Sequence, residues 1–230
     1  MQAIDLKVRP ILVASVLAGV FSLSGCEIAK APAPIASSGL EVVMERLPGT
    51  YSNQVQYQAA PDDLKVEPQI GSEAPWIDYQ FAEFKRVDVP AVSGEVVALQ
   101  WRRQGREGPI SRQRLWAFRS LGDALVMDFY SLKSEIDFTD EAAISSLALE
   151  DLISYGDKCA LPVRSVEDEL RMAIPETCQI VSRSGRNMTL SAEITIGEGL
   201  TYKESGWFPS GDLVFMVPGI EAYAFERVEE

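Results

Sequence analysis

ISRQRLWAF, residues 110–118, has the alternation of a β-strand. Successive side chains of a strand point to opposite faces, so Ile110, Arg112, Arg114, Trp116 and Phe118 share one face. Arg112 and Arg114 stand roughly 7 Å apart on it, beside two large aromatics. Ser111, Gln113, Leu115 and Ala117 form the other, less apolar face, so the face with the arginines is expected to point inward. Guanidinium groups fork onto carboxylates, and aromatic rings cover flat apolar bodies. Such a face suits a flat apolar ligand with two anionic tails. The alternative is that Arg112 and Arg114 point outward and pair with surface acids.

The flanking sequence repeats the pattern. Short runs rich in β-branched and aromatic residues cover 51–58, 77–87, 96–103, 124–132, 159–166, 179–183, 188–196, 200–207, 213–217 and 222–227. Gly, Pro, Asn and Asp punctuate them, as in RSGRN, IGEG and FPSGD. Leu40, Val43, Met44 and Leu47 follow helical spacing, and Pro48-Gly49 ends that helix. A helical insert is expected at about 140–155. Many short antiparallel strands with short turns predict a mainly β domain, a closed barrel or a sandwich, spanning 40–230. A closed barrel of this size fills its interior with side chains or holds one small ligand.

The chain has a formal charge of −13 and no histidine. Bulk charge therefore argues against nucleic acid as a partner. The missing histidine excludes Ser-His-Asp and Cys-His catalysis, and no residue stands out as a catalytic group. A metal site is not expected, because two thiols could draw on carboxylates alone and no compact carboxylate cluster stands out. The charge is unevenly spread: residues 102–119 hold Arg102, Arg103, Arg106, Arg112, Arg114 and Arg119 against a single Glu107.

The N-terminal region has its own pattern. Lys7 and Arg9 precede an apolar run from Ile11 to Leu23, too short to span a bilayer core of roughly 30 Å. Leu23-Ser24-Gly25-Cys26 resembles the lipobox of bacterial lipoproteins. That resemblance implies a signal peptide over 1–25, cleavage before Cys26 and lipid on the Cys26 thiol. Residue 27 is Glu, not Asp, which suits an outer-membrane anchor facing the periplasm. The Ala/Pro/Ser-rich stretch 26–39 reads as a flexible tether. With Cys26 carrying lipid, Cys159 and Cys178 remain as an even pair in an oxidising compartment, and a disulfide between them is expected. Two buried free thiols are the alternative.

LPGTYSNQVQ (47–56), GPISRQRLW (108–116), the placement of Cys159 and Cys178, and GLTYKESG with GDLVFMVPGIEAYAFER (199–227) together resemble the CpcT/CpeT family of phycobiliprotein lyases. The resemblance implies a single antiparallel lipocalin-like β-barrel with a short N-terminal helix and a ligand cavity. It also implies attachment of a bilin, a linear tetrapyrrole with two propionates, to a cysteine of an acceptor protein. The family's Tyr-Arg-Gln-Arg stretch falls on Ser111-Arg112-Gln113-Arg114, so both arginines match and the tyrosine does not. Its Tyr-x-Asn-x-x-Gln-like stretch falls on Tyr51, Asn53 and Gln56. The candidate ligand-binding residues are therefore Arg112, Arg114, Trp116, Phe118, Tyr51, Asn53 and Gln56. No tightly bound cofactor is expected. The other function class is a non-enzymatic, membrane-anchored lipoprotein that binds or shuttles an amphiphile.

Overall fold

A computed structural model of the chain describes residues 39–69, 71–182 and 185–229. The expected signal peptide, Cys26 and nearly all of the expected tether lie outside the described residues. The described chain is mainly β. Helix α1 (Leu40–Arg46) leads into β1 (Gly49–Ser52), α2 (Gln54–Ala59), β2 (Gln80–Val87), β3 (Glu95–Arg103), β4 (Ile110–Leu121) and β5 (Ala124–Leu132). Helix α3 (Glu141–Ser145) and the short β6 (Leu152–Ile153) follow. The remaining strands are β7 (Leu161–Val166), β8 (Glu169–Ala173), β9 (Gln179–Val181), β10 (Asn187–Ile196), β11 (Leu200–Trp207), β12 (Leu213–Val217) and β13 (Tyr223–Arg227).

Ten of these strands close a barrel in the order β11-β13-β1-β2-β3-β4-β5-β7-β8-β10 and back to β11. Neighbouring strands are antiparallel throughout. The ladders differ in length. β3 and β4 pair from Glu95↔Phe118 to Trp101↔Arg112 and, after a shift of register, at Arg102↔Ile110. The β11–β13 pair is short: β11 meets β13 from Leu200↔Phe225 to Tyr202↔Tyr223 and then continues with β12 from Glu204↔Val217 onward.

Alternation decides which residues fill the barrel. Phe84, Leu99, Trp101, Trp116, Phe118, Met127, Val163, Ile194 and Tyr202 belong to one buried interior cluster. α1 adds Val43, Met44 and Leu47 to the same cluster, which is why its apolar stripe has helical spacing. Val43 and Leu47 are fully buried, and each such side chain contributes about 1.5–3 kcal/mol. Arg46 Nη1 donates to the Asp168 carbonyl at 2.6 Å in the β7–β8 turn, which fixes α1 against that side of the barrel. Gly94 must be glycine: its φ is +97°, and a Cβ there would lie 2.2 Å from the Phe118 carbonyl oxygen on β4.

The outer faces of β3 to β5 are also covered. Leu115 and Ala117 pack with Val96, Ala98, Phe138, Ile144, Leu147 and Leu152 in a second buried cluster. The segment between β5 and β7 thus forms an apolar lid over the outside of the arginine strand. Its helix is shorter than the predicted 140–155 insert. Asp140 caps α3 by accepting from Ala142 and Ala143 N–H, and the helix ends at Ser146. Leu147 and Leu152 then anchor the chain without helical spacing.

Two other expectations change. The predicted strand at 51–58 stops at Ser52 and becomes α2, because Asn53 turns its side chain to Asp78 and to Gln80 at the start of β2. Strand β8 fell outside the predicted set, its apolar residues Leu170 and Met172 being set among charged neighbours.

Candidate functional site

The interior end of β4 holds the site. Arg112 and Arg114 point into the barrel with Trp116 and Phe118, so the inward reading of the alternation holds and the outward one does not. The two guanidiniums then meet different fates.

Arg112 is engaged by β11. Its Nη1 donates to Glu204 Oε2 and, at 2.5 Å, to Tyr202 Oη, while Tyr202 Oη donates to the same Glu204 oxygen at 2.7 Å. Tyr202 and Glu204 are two residues apart, so both face inward from one strand. The Arg112 and Glu204 side chains are 13% and 12% exposed. The Arg112 guanidinium also lies over the Trp101 ring, 5.1 Å from its centroid. Burial opposes the Arg112 charge, but Glu204 and Tyr202 outweigh it, and the group holds its proton more tightly than usual. Burial likewise opposes ionisation of Glu204, yet Arg112 and Arg114 hold its carboxyl below the usual carboxylate range. Burial raises the Tyr202 phenol, so it stays protonated and serves as a donor.

Arg114 has no such partner. Its Nη1 donates to the Gln113 carbonyl at 2.8 Å, and no carboxylate lies within 4.0 Å of it among the described residues. Burial and then the like charge of Arg112 make its proton easier to lose than an ordinary arginine's. The other arginines of the 102–119 stretch have found partners: Arg102 with Glu83, Arg103 with Asp78, Arg119 with Asp128 and Asp157. Arg106 lies 5.0 Å from the Phe81 ring centroid.

Arg114 stands between two hollows. On the inner side, Arg114, Trp116, Met127, Phe129, Ile174, Tyr202 and Glu204 line a pocket with about 20 Å³ of free space, room for about one water. On the outer side, the first half of β4 and residues 132–135 line a groove of about 210 Å³. That groove arises because β4 and β5 part beyond the Arg114↔Ser131 pair. Lys133 and Glu135 lie along it. A larger hollow of about 540 Å³ elsewhere on the surface carries Glu167, Asp168, Glu169 and Glu198, with Arg171 already bound to Glu169. Its charge repels anions, so the arginine end is where an anionic ligand would go.

The remaining predicted site residues occupy other places. Trp116 lines the inner pocket and packs on Phe84 at 5.2 Å. Phe118 is fully buried in the interior cluster, one pleat deeper, and does not line the pocket. Tyr51, Asn53 and Gln56 are not brought to the arginines. Tyr51 Oη donates to the Leu47 carbonyl at 2.9 Å and accepts from Arg227 Nη2 at 2.7 Å. Asn53 accepts from Gln80 N–H at 2.7 Å and donates to the Asp78 carbonyl at 2.9 Å. Gln56 donates to the Ala222 carbonyl at 2.8 Å and accepts from Ala224 N–H at 2.9 Å. Its carboxamide thus continues the β1–β13 ladder past Ser52, where the backbone leaves as α2. These three residues build the frame, and their polar atoms are already satisfied. Cys159 and Cys178 form a disulfide across 19 residues. Among the described residues no cluster of metal-ligating side chains occurs.

Tyr202 and Glu204 escaped the sequence reading. Their signal was present in Leu200-Thr-Tyr-Lys-Glu204, where alternation puts a carboxylate on the face of Leu200 and Tyr202. An acid on an inward face needs an inward cation, and Arg112 supplies it.

The chain is a lipocalin-like closed β-barrel. No family model and no curated protein matches it. Among solved structures it is similar to the CRL protein of Arabidopsis, with 12% identity, a TM-score of 0.61, and coverage of 84% of this chain and 100% of that one. At that identity the likeness is one of fold.

Proposed function

We propose that the barrel binds a largely apolar small molecule through a carboxylate received by Arg114. The observation that carries this reading is the unequal fate of the two arginines. Arg112 has its counterion, whereas Arg114 is a half-buried charge with no ion-pair partner within 4.0 Å among the described residues, poised between a largely apolar pocket and an open groove. A partly desolvated charge without an ion-pair partner is costly, and a ligand that supplies the anion relieves that cost.

Within this class, the CpcT/CpeT resemblance supports a bilin. The protein would then be a bilin carrier or lyase, holding the chromophore so that a cysteine thiolate of an acceptor protein adds at one position. Sites for drug-sized ligands enclose roughly 300–1,000 Å³. The inner pocket is far smaller, so a tetrapyrrole lies in the outer groove with a propionate at Arg114 unless interior side chains move. The same limit favours a second reading: a non-enzymatic lipoprotein that carries a slim amphiphile, which displaces fewer side chains. In either case a lipid on Cys26 holds the barrel at the outer membrane, facing the periplasm.

The test is titration of the full chain with biliverdin and with a long-chain fatty acid, by calorimetry and by quenching of tryptophan emission. Arg114→Ala should weaken binding about ten- to a hundredfold, as expected for a desolvated charge-assisted contact. The reading fails if neither compound binds, or if Arg114→Ala binds both as wild type does.

A further inference from the structure

Two inward guanidiniums on one strand suggest a receptor for two carboxylates. The arrangement around them says otherwise. Glu204 sits in the same pocket wall as Arg114 and takes up Arg112. Two arginines and one glutamate leave a single net positive charge. Arg112 commits Nη1 to Glu204 and Tyr202 and its charge is matched by Glu204, so the unmatched charge is that of Arg114. A second ligand carboxylate placed beside the first would face the Glu204 oxygens with no counterion of its own. Like charges brought together in a poorly solvated pocket repel strongly.

We infer that the inner site is matched to one carboxylate and that Glu204 acts as a specificity residue, rejecting ligands whose head carries two. This rests on the ligand reading above and narrows it. A bilin would seat one propionate at Arg114 and leave the other in the groove, where Lys133 lies and solvent reaches. Glu204 touches the head group's space rather than a reacting atom, so its role is selection, not catalysis. The logic is that of discrimination by an opposing charge: the wrong ligand is excluded, and the right one gains nothing extra.

The experiment compares a long-chain fatty acid with the alkylmalonate of equal chain length, at a pH where both malonate carboxyls are ionised. The full chain is titrated by calorimetry. Wild type should prefer the monocarboxylate by about tenfold or more. In Glu204→Gln, Arg112 is released and the preference should vanish or invert in favour of the alkylmalonate. Wild type binding the alkylmalonate as tightly as the fatty acid, or more tightly, overturns the inference and leaves the ligand reading standing. Failure of wild type to bind either overturns both. A Glu204→Gln protein that folds, by near-ultraviolet circular dichroism, and keeps the wild-type preference also overturns the inference. If that variant does not fold, the wild-type comparison decides.

Discussion

Arg112 on β4 and Glu204 on β11 form an ion pair through the inside of the barrel, joining strands that lie on different parts of the ring. They are 92 residues apart in sequence. Tyr202 completes the group by accepting from one and donating to the other. The pair pins opposite sides of the wall and divides the two arginines into one that builds and one that waits.

That division predicts opposite effects on stability. Arg112→Met strands a buried carboxylate and should cost about 3–5 kcal/mol. Arg114→Met removes a half-buried charge that has no ion-pair partner and should leave stability within about 1 kcal/mol of wild type or above it. Urea denaturation midpoints measure both. Equal losses would make Arg114 a structural group.

The acid limb of stability should carry a Glu204 component. Its folded carboxyl titrates below the ordinary value of about 4.3, so the unfolded chain binds the proton first. The stabilisation is complete above that pH and is lost as pH falls through the lower folded value. Glu204→Gln should therefore be less stable than wild type near neutrality, and the gap should narrow on acidification. A gap that stays constant down to pH 2 would contradict the pairing.

Reducing the Cys159–Cys178 bond should lower stability by about 3 kcal/mol on the chain-entropy estimate for a loop of this length. Thiol titration of the denatured, unreduced chain should find neither Cys159 nor Cys178. The melting temperature should drop when reductant is added.

Gln56 ties α2 to β13 with two hydrogen bonds and touches neither hollow beside Arg114. Gln56→Ala should lower stability by about 0.5–1.5 kcal/mol, since two hydrogen bonds that water can partly replace are lost. Ligand affinity should match wild type. A fall in affinity at unchanged stability would return Gln56 to the binding surface.

Lipid attachment is checked at Cys26. Growth with a radioactive fatty acid should label the wild-type chain, and Cys26→Ala should remain unlabelled. Equal labelling rules out Cys26 as the acceptor.

The inward face of β4 was readable because its period of two runs through four large side chains, Arg112 to Phe118. The apolar stripe of α1 was readable for the same kind of reason. What could not be read was closure. Nothing local states that β11 faces β4, so Glu204 was invisible as the partner of Arg112 although its strand was delimited correctly. The turn into α2 was hidden too. Tyr51-Ser52 suits a strand, and the chain leaves the ladder because Asn53 bonds to Asp78 and Gln80, residues over twenty positions away. The insert after β5 misled for a third reason. Ile144, Leu147 and Leu152 cover the outside of β3 to β5, so their apolar character records a tertiary surface and not a helix.

The fork in β11 makes the wall elastic along one line. β13 holds it between Leu200 and Tyr202, and β12 takes over from Glu204. Local opening follows short pairings, and this three-residue seam, like those of β1 with β13 and β5 with β7, is weaker than the long ladder between β3 and β4. Tyr202 stands at the end of the seam, and Glu204 stands where the partner changes. Girth and electrostatics are therefore coupled: the barrel cannot widen there without loosening the anchor that neutralises Arg112.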